Sequence, residues 1–242
     1  MAGSFGRAVD AYDAARPGYP LEALEWLVPA AARTVLDLGA GTGKFTRLLV
    51  DSGRAVTAVE PSPEMLARLA ETLPTVDARL GTAEAIPLGD HSVDAVVVAQ
   101  AWHWVDPQVA GPEVARVLKP GGTLALVWNV MDGDVDWVRA LGAAASGVER
   151  SVRPGNDVAT KAVFSPEFDQ VETAIFPWQF DVDRVGLVTL VSSWSEYLTA
   201  PETQQRRIRE EVEAVFDAVS TTGAAGRIRI PYNTRCFRAR LA

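Results

Sequence analysis

Side chains that build metal and disulfide chemistry are scarce in this chain. A single cysteine, Cys236, among 242 residues leaves no disulfide within one chain and no thiolate zinc cluster. Two histidines, His91 and His103, are too few for a metal site of imidazoles alone, so no metal is expected. No apolar run approaches the ~20 residues of a membrane span, and Met1 to Asp10 lacks the apolar core of a secretory signal. Long basic runs are missing as well. The net charge is −8 and the pI about 4.9, which disfavours a nucleic-acid partner. The one local cluster, Arg206, Arg207 and Arg209, sits beside Glu210, Glu211 and Glu213 and reads as a solvated helix face. The expectation is a soluble, cytoplasmic protein without a membrane partner; oligomeric state is not legible. Apolar residues make up 48%, enough for the core of one large domain, or of one domain with an added cap.

What the chain does have is Val35-Leu36-Asp37-Leu38-Gly39-Ala40-Gly41-Thr42-Gly43. An apolar run that breaks on glycines at every second position reads as a buried strand, a tight turn and a helix start. Glycines there permit positive φ and leave the backbone open to a ligand. From Lys44 the helical spacing resumes with Phe45, Leu48 and Leu49 on one face. A dinucleotide loop would need Gly or Ala where Lys44 stands, and a phosphate loop would need Gly at Leu38 and Ser or Thr at Phe45. Both phosphate readings are weakened. Glu60 follows Gly43 by seventeen residues, at the end of the next apolar run, where a carboxylate can accept both hydroxyls of a ribose.

The order of elements supports an α/β fold. Helices are expected over Leu21–Val28, Lys44–Asp51, Pro63 to just before Pro74 (capped by Ser62), and Pro107–Leu118, the last best from Pro112 onward. Strands are expected over Thr34–Leu38, Ala55–Val59, Val76–Leu80, Ser92–Ala99 and Thr123–Val127, with Lys119-Pro120-Gly121-Gly122 turning the chain before the last. Such alternation predicts a parallel sheet with helices on both faces and a ligand beyond the carboxyl ends of its strands. Gly39–Gly43, Glu60, Thr82–Glu84 and Gln100–Trp104 all fall at those ends. Later come helices over Val135–Val148, Val185–Leu198 and Pro201–Val219, a loose strand over Val171–Phe180, and a final strand from Ile228 to Leu241. The opening stretch with Tyr12 and Arg16-Pro17-Gly18-Tyr19-Pro20 reads on pattern alone as an arm packing its tyrosines. The alternative is a lid whose Tyr12 and Arg16 reach a ligand carboxylate.

Three stretches then resemble one family. They are the loop Val35–Gly43, the run Glu84–Leu88 with Ser92–Val97, and Arg116-Val117-Leu118-Lys119-Pro120-Gly121-Gly122-Thr123. Together they resemble the UbiE/trans-aconitate-type branch of class I S-adenosylmethionine (SAM) methyltransferases. The likeness is good over Phe5–Val130 and only one of element order beyond. It implies a Rossmann-like, seven-stranded, mostly parallel sheet with an antiparallel last strand and a C-terminal helical insertion forming part of a substrate cap. It also implies a single domain over 1–242: a lid and helix over 1–32, a cofactor core over 33–130, and cap helices with the last strands over 131–242. The cofactor would be SAM and the partner a small-molecule methyl acceptor; Trp102, Trp104, Trp128, Trp137, Trp178 and Trp194 suit an apolar or aromatic one, with core packing as the alternative for several of them. Gly39, Ala40 and Gly41 would bring backbone against the methionine portion and ribose, Asp37 would orient the loop and the amino group directly or through water, and Gln100 would line the methionine end. Glu60 would take the ribose hydroxyls, Pro61 and Met65 would flank the adenine, and Thr82, Ala83 and Glu84 would meet its edge. Tyr12 and Arg16 would close over the carboxylate, which favours the lid. Thr82 departs from the Asp common in the family.

Methyl transfer asks little of the protein beyond alignment, unless the acceptor is a hydroxyl that must lose its proton. His103, between Trp102 and Trp104 at the ligand end, is the candidate catalytic base; packing between the two indoles, or donation to a backbone carbonyl, is the alternative. His91 is expected to be exposed at the opposite end. Trp128 and Asn129 are expected just after the fifth strand, facing the same mouth. Two other functions stay open: a nicotinamide-dependent Rossmann oxidoreductase, and a SAM-binding module without turnover.

Overall fold

The computed structural model describes residues 16–146, 167–220 and 226–242. Tyr12, the loop signals at Arg153–Asp157 and Ser165-Pro166, and the end of the helix expected to reach Val148 lie outside the described residues.

Helix α1 (Leu21–Leu27) precedes strand β1 (Thr34–Leu38), α2 (Lys44–Asp51), β2 (Ala55–Glu60), α3 (Pro63–Thr72), β3 (Asp77–Leu80) and β4 (Val93–Ala99). A 3-10 turn (Trp102–Trp104) leads into α4 (Pro107–Val117) and β5 (Leu118–Met131). Then follow α5 (Asp136–Ser146), β6 (Glu172–Asp183), α6 (Arg184–Ser192), α7 (Ser195–Leu198), α8 (Glu202–Ser220) and β7 (Arg227–Arg240). The strands form one sheet in the order β3-β2-β1-β4-β5-β7-β6. The pairs β1–β2, β1–β4, β2–β3 and β4–β5 are parallel. Strand β7 runs antiparallel to β5: Leu241 donates to Gly122 while Asp132 donates to Pro231, so numbers rise on one strand as they fall on the other. The sheet grows from β1 in both directions, so right-handed crossovers put α2 and α3 on one face and α4 on the other. The expected fold class is therefore observed.

Helix α4 begins at Pro107, as expected, because Asp106 accepts from the Gln108 amide at 3.0 Å and Pro107 needs no amide partner in the first turn. Other boundaries differ from expectation. Lys119–Gly122 is an excursion inside β5: Val93 pairs with Leu118 and Ala95 with Thr123, so the strand loops out and rejoins. Trp128 and Asn129 thus lie within β5, not after it. The helix expected over Val185–Leu198 breaks in two where the Ser193 hydroxyl turns back onto the Leu190 carbonyl at 2.6 Å.

Contacts divide the chain into two compact units. The glycine-loop unit holds residues 18–129, 167–176 and 234–242 of those described. Its core joins Leu24 and Leu27 of α1, Phe45 and Leu49 of α2, Val35, Val97 and Val127 of the sheet, and Cys236. A smaller cluster seats Leu69 and Leu73 on Ala40 and Ala58. The helical unit holds 16–17, 130–146, 177–220 and 226–233. There Leu141, Leu187, Val191, Ile208, Val212 and Phe216 meet Ile230 and Tyr232. Tyr232 stacks on Trp178 with ring centroids 5.5 Å apart.

At the amino ends of β1 and β4, Asp94 accepts from the Arg33 and Thr34 amides at 2.9 and 2.8 Å, the Thr34 hydroxyl at 2.8 Å and the Lys119 ammonium at 2.7 Å. Partial burial alone would raise its carboxyl; the Lys119 ammonium and the Thr34 and Arg33 bonds outweigh this and hold it well below the usual carboxylate range. A depressed folded pKa adds stability above the unfolded value, lost as pH falls through about 4 and below. Asp94→Ala is expected to lose about 2 kcal/mol at pH 7 in urea denaturation. The difference from the wild type should shrink at pH 3; an equal loss at both pH values would contradict this account.

Candidate functional site

The site begins with the periodicity of β1. Alternation puts Val35 and Asp37 on one face of the strand, the face on which Val35 packs with Phe45 and Leu49 of α2. Asp37 is fully buried. One of its oxygens accepts from the Thr46 hydroxyl of α2 at 2.6 Å, and Oδ1 has no hydrogen-bond partner among the described residues. Burial pushes its pKa up to about 7; the Thr46 bond opposes the shift, and the nearby Glu60 charge adds to it.

Beyond Asp37 the chain turns on three positive-φ glycines: Gly39 at +73°, Gly41 at +57° and Gly43 at +91°. The Gly39 and Ala40 amides both donate to the Val59 carbonyl of β2, at 2.8 and 3.1 Å, which seats the loop on the adjoining strand end. A Cβ on Gly39 would stand 2.7 Å from the Ala101 Cβ, whereas one on Gly41 would meet nothing within 4 Å among the described residues. The loop is packed on one side at Gly39 and open at Gly41.

Glu60 ends β2 and is nearly buried. Its two oxygens accept from the Gly41 amide at 2.8 Å and the Ser62 amide at 3.0 Å. A carboxylate has about four lone-pair sites, so further donors can still be accepted. Ser62 caps α3 by accepting from the Met65 amide at 3.3 Å. Pro61 is exposed and Met65 half-buried beside it.

Thr82, Ala83 and Glu84 follow β3 in a narrow turn closed by a Thr82–Ala85 bridge. Thr82 is exposed and Ala83 buried. Glu84 accepts from the Asp106 amide at 3.1 Å, which ties this turn to the start of α4. Arg116 and Glu113 of α4 clamp the loop further on: Glu113 accepts from the Ile86 amide, and Arg116 donates to the Ile86 and Leu88 carbonyls.

Gln100 follows β4 with φ +58°, the left-handed region that costs a non-glycine residue about 1 kcal/mol or more. Its amide donates to the Val127 carbonyl at 2.9 Å and its side chain to the Asn129 carbonyl at 3.2 Å. In the 3-10 turn Trp102 is buried, while His103 and Trp104 are exposed, their rings 4.9 Å apart. His103 is therefore not sandwiched between two indoles. Though exposed by area, it is crowded enough that desolvation lowers its pKa, so the neutral imidazole prevails at pH 7. His91, at the amino end of β4, is exposed as expected, and its Nδ1 lies 2.9 Å from the Leu118 carbonyl.

Of the sequence-predicted residues, Asp37, Gly39, Ala40, Gly41, Glu60, Pro61, Met65, Thr82, Ala83, Glu84, Gln100 and His103 all belong to the glycine-loop unit and stand at or just beyond the carboxyl ends of its strands. Arg16 belongs to the helical unit, where it donates to the Ser193 hydroxyl and carbonyl, each at 3.1 Å. Sequence reasoning missed Thr46, Ala101 and Asp106. Thr46 was visible as the one polar residue on the inward face of α2 and Asp106 as a cap residue before Pro107, whereas the approach of Ala101 to Gly39 had no local signal. Among the described residues no cluster of three or more His, Cys, Asp or Glu is arranged to hold a metal ion, and no helix is long and apolar enough to cross a membrane.

Residues 36–126 match the family described as a methyltransferase domain. An uncharacterized methyltransferase of Mycobacterium tuberculosis (strain ATCC 25618 / H37Rv) is 48% identical over 242 residues, covering 100% of this chain and 97% of its own length. An uncharacterized methyltransferase-like protein of Schizosaccharomyces pombe is 34% identical over 241 residues, covering 97% and 94%. The solved structure of a candidate type II methyltransferase from Anaeromyxobacter dehalogenans superposes with a TM-score of 0.68 at 21% identity, covering 93% of this chain and 97% of that one.

Proposed function

Because the chain belongs to the class I SAM-dependent methyltransferase family, we propose that it moves the methyl group of SAM to an oxygen, nitrogen or carbon atom of a small-molecule acceptor, with S-adenosylhomocysteine as by-product. The observation that carries this reading is the glycine loop at the point where the strand order reverses. Among the described residues nothing fills the Cβ position of Gly41, and none bonds Oδ1 of buried Asp37, on the strand that leads into the loop.

The residues fit such a ligand. Glu60, already orienting the Gly41 and Ser62 amides, keeps acceptor capacity for ribose hydroxyls. Pro61 and Met65 offer apolar surface for an adenine, and Thr82, Ala83 and Glu84 offer a polar turn for its edge. Gly39, Ala40, Gly41 and Gln100 would line the methionine end. SAM, when bound, supplies an activated methyl group and a neutral thioether leaving group. The protein's own work is then to hold the acceptor in line and keep water out. The whole of 1–242 acting as one methyltransferase domain, with 131–242 supplying acceptor contacts, belongs to the same proposal.

His103 fits the role of base if the acceptor is a hydroxyl, since its neutral form is present at pH 7. His103→Ala is then expected to lower kcat about 10²-fold and to abolish the acid limb of the kcat/KM–pH profile. Turnover and pH profile unchanged with the true acceptor would remove His103 from the mechanism. Calorimetric titration with S-adenosylhomocysteine tests the cofactor directly: binding weaker than millimolar, or NADH binding in its place, sinks the reading. Binding without methyl consumption across acceptor classes would mark a binding module instead.

A further inference from the structure

Asn129, inside β5, makes three hydrogen bonds to three distant parts of the chain. Its Nδ2 donates to the Gly18 carbonyl at 2.7 Å. Its Oδ1 accepts from the Thr234 hydroxyl at 2.6 Å, and Thr234 is fully buried. Its main-chain carbonyl accepts from Gln100 Nε2 at 3.2 Å. Gly18, Asn129 and Thr234 are each the first or last residue of a stretch belonging to the glycine-loop unit. One side chain thus joins the unit at three of the places where the chain enters or leaves it.

The chemistry of the partners fixes both amide orientations. A carbonyl only accepts, so Asn129 must turn its NH2 to Gly18 and its oxygen to Thr234. By the same reasoning Gln100 must turn its NH2 to the Asn129 carbonyl. Gln100 Oε1 is then directed away from that bond. The Gln100 backbone is itself in the left-handed region, and such a conformation persists only where its surroundings over-determine it.

We infer that Asn129 is a positioning residue for cofactor binding: it anchors the end of β5 to Gly18 and Thr234, so that the β5 carbonyl holds the Gln100 carboxamide with Oε1 presented to a donor group of the ligand. The inference rests on the reading of Gln100 as lining the methionine end of a SAM site. The donor that matches Oε1 there is the α-ammonium group.

A double-mutant cycle read by S-adenosylhomocysteine affinity tests this. Gln100→Ala and Asn129→Ala are each expected to weaken binding 5- to 20-fold, and the double variant should be no weaker than Gln100→Ala alone. Thr234→Val, which deletes only the hydroxyl, should give a smaller loss of two- to fivefold, again absent in the Gln100→Ala background. It carries the cycle if Asn129→Ala does not fold. Additive losses, or affinities within twofold of wild type, overturn the positioning role while leaving the proposed function standing. A wild-type protein that does not bind S-adenosylhomocysteine overturns both.

Discussion

Alanine at Gly39 is expected to destabilise the protein by about 2–4 kcal/mol and to abolish measurable S-adenosylhomocysteine binding. Two effects add. The left-handed backbone at φ +73° costs an L-residue about 1–2 kcal/mol. The new methyl would also stand 2.7 Å from the Ala101 Cβ, and neither carbon can swing aside because both are fixed to backbone. The loop must shift, and the paired Gly39 and Ala40 bonds to the Val59 carbonyl shift with it. Gly41→Ala is the informative contrast. Its φ of +57° carries a similar conformational cost, but its Cβ would enter open space. That variant should lose only about 1 kcal/mol and still lose ligand affinity, because the methyl occupies the open side of the loop. Urea denaturation and calorimetry on the two proteins separate fold from binding. Equal stability losses at both positions would contradict the packing argument. Undiminished affinity in Gly41→Ala would place the ligand elsewhere.

Asparagine at Asp37 is expected to stabilise the ligand-free protein at alkaline pH and to weaken its hold on SAM. The folded carboxyl titrates near pH 7 because burial penalises its charge, with Glu60 adding to the penalty against the Thr46 bond. A raised carboxyl pKa means that the folded state binds the proton more tightly than the unfolded chain. Stability from this group is therefore highest below about pH 4, declines between about pH 4 and 7, and is fully lost above, a span of about 4 kcal/mol at most. The amide has no charge to desolvate and can still accept from Thr46. Asp37→Asn should thus match the wild type near pH 4 and exceed it by about 2–4 kcal/mol at pH 8. The same carboxylate, ionised opposite a cationic ligand, favours binding, so the variant should bind SAM at least about tenfold more weakly, the worth of one charge-assisted hydrogen bond. A variant that is less stable than the wild type at pH 8 would show that water or another group already satisfies Oδ1.

The strands, the turn and the helix around Gly39–Gly43 were legible because they depend on local pattern: an apolar run, alternate glycines and a returning helical face. Glu60 was legible by its place at the end of the next strand. The parallel sheet followed from alternation. Its antiparallel final strand and seven-strand count came from likeness to a family. The loop-out at Lys119–Gly122 was misread as a turn before a strand, since proline and glycine mark any reversal of direction and not its register. The break at Ser193 was hidden for a similar reason: Leu187, Leu190, Val191 and Tyr197 keep the apolar spacing across it, and all four are buried.

The sequence by itself determined the element order, the glycine cradle and the carboxylates at its edge, because backbone geometry and periodicity are written residue by residue. Tertiary structure alone decided what those groups do. Asp37 titrates near neutrality because it is buried between α2 and the sheet, with the Glu60 charge adding to the shift. Gly39 is irreplaceable because Ala101, sixty-two residues on, lies against it. Gln100 keeps its left-handed turn beside a carbonyl of Asn129, itself held by Gly18 and Thr234 from opposite ends of the chain. Desolvation and long-range hydrogen bonding belong to assembled neighbours, and no local pattern encodes them.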